Sequence, residues 1–117
     1  MDADGWNVIG EIRGSKYPEE IIVVGGHLDS WDVGEGAHDD GAGTVQSIEV
    51  LQLLRLAGYK PQRTIRAILF TNEENGARGG KAYKTFTDKT NEKQILAIES
   101  DAGGHSPQGF TWESKDK

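Results

Sequence analysis

Three short apolar runs, residues 21–24, 64–70 and 95–98, each give way at their carboxyl end to side chains that bind metals or move protons. His27 and Asp29 follow the first run, Glu73 and Glu74 the second, and Asp101 the third. Runs of this length that are apolar on both faces read as inner strands of a sheet covered above and below. In open α/β sheets, ligand sites gather outside the carboxyl ends of the strands. Parallel strands would therefore carry all of these polar clusters to one edge of the sheet.

The segments between the runs set the rest of the architecture. Residues 7–13 read as a strand and residues 14–20 as a turn containing Pro18. The short connection to the strand at 21–25 predicts an antiparallel hairpin. A glycine-rich loop covers residues 30–41. Residues 45–57 predict a helix with Val45, Ile48, Leu51 and Leu54 along one face, ended by Gly58 with Pro61 just beyond. A shorter amphipathic helix is expected over residues 77–86, with Ala82, Tyr83 and Phe86 facing inward. Residues 95–98 predict a buried strand, Phe110 to Trp112 the start of another, and residues 115–117 a frayed tail. Strands alternating with helices after an initial hairpin predict an α/β layered fold with a mixed sheet. A chain of 117 residues is near the size of one domain, so one core is expected.

Composition narrows the partners. A net charge of −6 argues against nucleic acid, which needs a concentrated basic surface, and suits bound cations. The absence of cysteine excludes disulfides and thiolate ligands. No apolar stretch is long enough to span a bilayer. Residues 1–5 are acidic and lack the basic and apolar parts of a signal peptide, so no export signal is read there.

Taken singly, the polar clusters have plain structural explanations. His27 suits a hydrogen-bonded structural histidine, and Asp39-Asp40-Gly41 a turn and helix cap. Glu73-Glu74 suits the first turn of a helix, and residues 101–104 a simple loop. Their joint occurrence at strand ends favours a metal site. His27 and Asp29 would project together from an extended strand, and an Asp beside a ligating His accepts its second ring N–H. A pair of divalent metals about 3.5–4 Å apart, sharing one carboxylate, uses all the clusters. In the adjacent Glu73-Glu74 pair, one carboxylate would bind metal and its neighbour would act as general base.

Four motifs, in order, carry a resemblance: GGHLDSWDVG (residues 25–34), GAHDDGAG (36–43), TNEENGARGG (71–80) and ESDAGG (99–104). They resemble the dizinc exopeptidases with an aminopeptidase-type domain, and look closest to the carboxypeptidase Q-like branch of that family. The resemblance implies a three-layer α/β/α fold with a mixed, mostly parallel sheet. It implies that His27, Asp39 and Asp101 hold one zinc and that Asp39 bridges to a second, ligated also by Glu74. Glu73 would be the general base, Asp29 would orient His27, and the Asp39–Asp40 peptide would be cis. The implied activity is hydrolysis of terminal peptide bonds in dipeptides or short peptides. Relatives of this kind are mostly secreted, periplasmic or lysosomal.

Two departures from the family pattern stand out. The family's second zinc takes a histidine far downstream of the Asp101 motif, which this chain does not contain, so it resembles a partial catalytic domain. One tight zinc and one weak site are expected in the chain alone, with poor activity. His38 precedes the bridging Asp and reads as an outward loop residue, and His105-Ser106-Pro107 reads as a loop rather than a replacement ligand. Two other readings are a glutaminyl-cyclase-like acyltransferase with a single zinc and a truncated, non-catalytic metal-binding module.

Overall fold

The three apolar runs of the sequence become three strands of a four-stranded sheet. A computed structural model describes residues 3–112 and residue 114. The strands are β1 (Val8–Ile12), β2 (Tyr17–His27), β3 (Arg63–Phe70) and β4 (Lys93–Glu99), in the order β1-β3-β2-β4. β2 pairs in parallel with β3 on one side and with β4 on the other, while β1 lies antiparallel along the outer side of β3. The connections between parallel strands are helices, α1 (Ala42–Leu56) and α2 (Arg78–Thr87).

The alternation along β3 shows which helix covers which face. Ala67 and Leu69 line a groove with Ile48, Leu51 and Leu56 of α1. Arg66 and Phe70 meet Tyr83 of α2 instead, through a 3.0 Å hydrogen bond and an edge-on ring contact. Residues two apart on a strand share a face, so the helices lie on opposite faces and the layers are α/β/α. Ile21, Val23 and Ile68 form a buried cluster, with Phe70 and Tyr83 packed against it. Arg66 is buried nearby, held by Glu92 at 2.7 and 2.8 Å and by Glu11 at 2.8 and 3.0 Å. α1 ends where Gly58 takes φ 65°, letting its N–H reach the Arg55 carbonyl. Among the described residues no helix is long and apolar enough to cross a membrane.

The structure differs from the sequence expectation at several points. β1 and β2 do not form a hairpin, because β3 lies between them. The turn after β1 and the first residue of β2 bond to the chain just before β3: Ser15 N–H to the Pro61 carbonyl, and Lys16 and Tyr17 N–H to that of Gln62. Gly14 allows that crossing, since a Cβ there would meet the backbone of residues 62–64 at 2.6–2.7 Å. β4 is not buried but lies at the sheet edge, with Ile95, Leu96 and Ile98 exposed at 51%, 50% and 42%.

The helices are rotated relative to expectation. α1 turns Gly43 and Ser47 to the sheet, with Leu51 and Leu54 half-buried and Val45 and Ile48 exposed. In α2, Tyr83 is half-buried while Ala82 and Phe86 are exposed, and Gly79 and Thr87 are the buried positions. Small side chains face the sheet in both helices because they permit the closest backbone approach. Residues 110–112 form no strand, and the expectation for residues 115–117 lies outside the described residues.

Candidate metal centre

His27 is the last residue of β2 and is almost fully buried, 1% exposed. Its Nδ1 lies 2.8 Å from the main-chain carbonyl of Asp29. A carbonyl only accepts, so Nδ1 carries the proton and Nε2 faces the carboxylates. Asp39 Oδ1 stands 3.1 Å from Nε2 and Asp101 Oδ1 stands 3.6 Å away. Burial pushes the pKa of His27 down, but the Asp29 carbonyl and the charges of Asp40, Asp101 and Glu73 outweigh it, and the net direction is up.

Asp39 and Asp40 come from the loop before α1, in a wide turn over Ala37–Gly41 closed by the Gly41 N–H on the Gly36 carbonyl at 2.7 Å. The peptide between them is cis, in line with the resemblance. The two side chains separate in role. Asp39 is half-buried and turned to the Nε2 side of His27. Asp40 is 1% exposed, and its Oδ2 accepts the His27 N–H at 2.9 Å while its Oδ1 accepts the Gly43 N–H at 3.0 Å. Asp40 thus ties the end of β2 to the first turn of α1, and Thr44 Oγ1 adds a 2.9 Å bond to the His27 carbonyl. Burial pushes the Asp40 carboxyl up, partly offset by those two backbone N–H groups.

The Glu73-Glu74 segment follows β3 and is held by Asp29. Asp29 Oδ1 accepts the Glu73 N–H at 2.9 Å and Oδ2 accepts the Glu74 N–H at 3.2 Å. The sequence reading had the Asp29 carboxylate orienting His27. In the structure that carboxylate is 3.9 Å from Nδ1, and the main-chain carbonyl makes the closer contact. One residue therefore positions both the imidazole and the glutamate pair. Burial and the neighbouring Asp39 charge raise the pKa of Glu74, against a smaller lowering by His27. Its Oε1 is buried and has no hydrogen-bond partner.

Asp101 lies two residues past β4, where the Ser100 N–H extends the ladder to the Gly25 carbonyl at 3.1 Å. Two overlapping groups have ligand atoms all within 4.8 Å of one another, His27-Asp39-Glu74 and His27-Asp40-Asp101. Asp39 and Asp101 both approach the same imidazole nitrogen but fall in different groups. Neither His38 nor His105 belongs to either group among the described residues. Their rings stand 5.7 Å apart, and His38 Nδ1 accepts the Gly104 N–H at 3.1 Å.

These residues fit a divalent cation. A buried carboxylate oxygen without a donor is costly unless a cation meets it, and Glu74 Oε1 is such an atom. The donor set is one imidazole with several carboxylates, all oxygen and nitrogen, as zinc and its neighbours in the first transition row accept. Sequence reasoning missed the anchoring by Asp40 and the proximity of Glu99. Desolvation and the charges of Asp101 and Glu73 raise the Glu99 pKa, and its spacing of two from Asp101 was the available signal.

The fold and site define a class: an α/β/α protein whose strand ends carry a candidate metal centre. The chain belongs to peptidase family M28, whose sequence profile matches residues 7–117. It is similar to carboxypeptidase Q from Bos taurus, 46% identical over 116 residues, covering 99% of this chain and 25% of that protein. Carboxypeptidase Q from Homo sapiens is 45% identical over the same length, with the same coverage. A crystal structure of a peptidase M28 precursor from Shewanella amazonensis superposes with a TM-score of 0.68 at 45% identity, over 81% of this chain and 22% of that one. The chain spans about a quarter of the length of these carboxypeptidase Q relatives.

Proposed function

We propose that this chain carries the metal-binding residues of a zinc exopeptidase that hydrolyses the terminal peptide bond of dipeptides or short peptides. The observation that carries the reading is the buried, unpartnered Glu74 Oε1 in the group with His27 and Asp39. His27, Asp39 and Asp101 would hold one zinc, and Asp39 and Glu74 would contribute to a second. Support for Asp39 as the shared ligand is its contact with His27 Nε2 together with its place in the Glu74 group. Zinc supplies a lowered water pKa and a polarised substrate carbonyl when bound.

The remaining chemistry belongs to the chain. Asp29 holds the Glu73 main chain and the imidazole of His27 in one frame. Glu73 is the proton carrier: its carboxylate takes a proton from the attacking water and returns it to the leaving amine nitrogen. His27, with Nδ1–H held on the Asp29 carbonyl, keeps Nε2 free to donate its lone pair. With three ligands for the first site and two for the second, one tightly held zinc per chain is expected.

The test pairs metal content with turnover. The protein is dialysed against dilute zinc, zinc per chain is measured, and release of free amino acid from dipeptides is followed. Glu73→Gln is expected to lower turnover about 10²–10⁴-fold with zinc content unchanged. Unchanged turnover in Glu73→Gln, or no zinc bound by the parent, overturns the reading.

A further inference from the structure

The loop that carries Asp101 has no secondary structure of its own to fix it, yet a metal ligand must be held to within about half an ångström to be useful. The fixing contacts come from the far side of the site. Gln46, in the second turn of α1, uses both ends of its amide. Its Oε1 accepts the Ser100 hydroxyl at 3.0 Å, and its Nε2 donates to the Gly103 carbonyl at 3.0 Å. The two contacts straddle Asp101. A third comes from His38, whose Nδ1 accepts the Gly104 N–H at 3.1 Å.

The loop lies directly against the helix. A Cβ at Gly43 would collide with the Ser100 carbonyl, a Cβ at Gly103 would meet Ser100 Oγ at 2.6 Å, and a Cβ at Gly104 would meet His38 Nδ1 at 2.6 Å. Glycine at these positions lets the helix and loop close until the Gln46 amide spans them.

The geometry points to Gln46 as the positioning residue for Asp101: its amide clamps the chain on both sides of that carboxylate and holds it against His27. The inference rests on the reading of Asp101 as a metal ligand. Gln46 touches no substrate and no reacting atom, and it acts through the loop. A groove beside it, lined by Ala37, Val45, Gly104 and His105, is open, so the clamp is reached by solvent and its loss is expected to loosen the loop without emptying the core.

The experiment uses Co²⁺ as the probe, bound to the full chain and read by its visible absorption. Gln46→Met keeps length and helix preference while removing both amide contacts. Ser100→Ala removes one contact from the loop side and keeps the helix intact. The expected result is Co²⁺ affinity about 10-fold weaker in Gln46→Met, with the band changed toward that of Asp101→Ala. Ser100→Ala is expected to show a smaller change, and little further loss when combined with Gln46→Met.

A purely structural role would lower the melting temperature of the metal-free chain and leave Co²⁺ affinity and spectrum as in the parent, which overturns the inference. The parent and Asp101→Ala separate this from failure of the metal reading. If the parent binds no Co²⁺, or Asp101→Ala binds as tightly as the parent, the reading of Asp101 itself fails and the clamp falls with it. Should Gln46→Met not fold, an unchanged Co²⁺ spectrum and affinity in Ser100→Ala is the overturning result.

Discussion

Replacing Asp40 by asparagine separates an anchor from a ligand. The Asp40 carboxylate accepts two main-chain N–H groups, from His27 at 2.9 Å and from Gly43 at 3.0 Å, and is 1% exposed. An amide of the same shape keeps one acceptor and turns N–H groups toward the other donor. One buried N–H then loses its partner, a loss of about 1–3 kcal/mol. Asp40→Ala removes both acceptors and is expected to destabilise by roughly 2–6 kcal/mol, a large share of the ~5–15 kcal/mol typical of a folded domain. For a chain of this size each kcal/mol lowers the melting temperature by roughly 3–6 °C, so Asp40→Asn should melt several degrees below the parent.

The assay is thermal unfolding of the metal-free chain by circular dichroism, followed by zinc titration of the same samples. The expected outcome is a lowered melting temperature with zinc binding retained once the chain is folded. An unchanged melting temperature together with lost zinc binding would refute the reasoning. It would move the ligand role to the His27-Asp40-Asp101 group and leave Asp39 outside it.

Zinc itself should raise the melting temperature of the parent, with a gain of about 2.7 kcal/mol at a hundredfold excess over Kd, and His27→Ala should abolish the rise. Gly43→Ala places a Cβ against the main-chain carbonyl of Ser100 and the carboxylate of Asp40, neither of which is a flexible chain end. It should destabilise by about 1–3 kcal/mol and weaken zinc binding, as measured by unfolding and by competition with a chelating dye. Glu92→Gln addresses pH dependence. Hydrogen bonding to Arg66 lowers the Glu92 pKa below its ordinary 4.5, so its stabilisation is present above the unfolded value and lost as pH falls through the folded one. Glu92→Gln should lose about 1.5–3 kcal/mol at neutral pH, and its melting temperature should converge with the parent's in acid.

Much of the clustering of the candidate residues was legible in the sequence. The order of apolar runs and polar clusters is a local pattern, and parallel pairing of β2 with β3 and β4 turns that pattern into one edge bearing His27, Asp39, Glu74 and Asp101. The parts that were not readable all depend on contacts between residues distant in sequence. A short connection favours a hairpin, but the turn after β1 found its donors' partners at Pro61 and Gln62, more than 40 residues on. Two adjacent aspartates look alike in sequence, and only their surroundings make one an anchor at 1% exposure and the other half-open to the site. The division of Asp29 between a carbonyl for His27 and a carboxylate for Glu73 and Glu74 depends on a neighbour 44 or 45 positions away.

The sequence by itself determined where β1, β3, α1, α2 and the inner part of β2 fall, because hydrophobic period and turn residues act within a few positions of the chain, whereas residues 17–20, expected in a turn, belong to β2 and residues 110–112 form no strand. It also determined which residues can bind a cation, since that is a property of the side chain. The tertiary structure alone decided strand order, the rotation of α1 that buries Gly43 and Ser47 in place of Val45 and Ile48, and the reach of Gln46 to Ser100 and Gly103 across 54 and 57 positions. Each of these is a choice among long-range arrangements with the same local preferences, and close packing across the sheet selects between them.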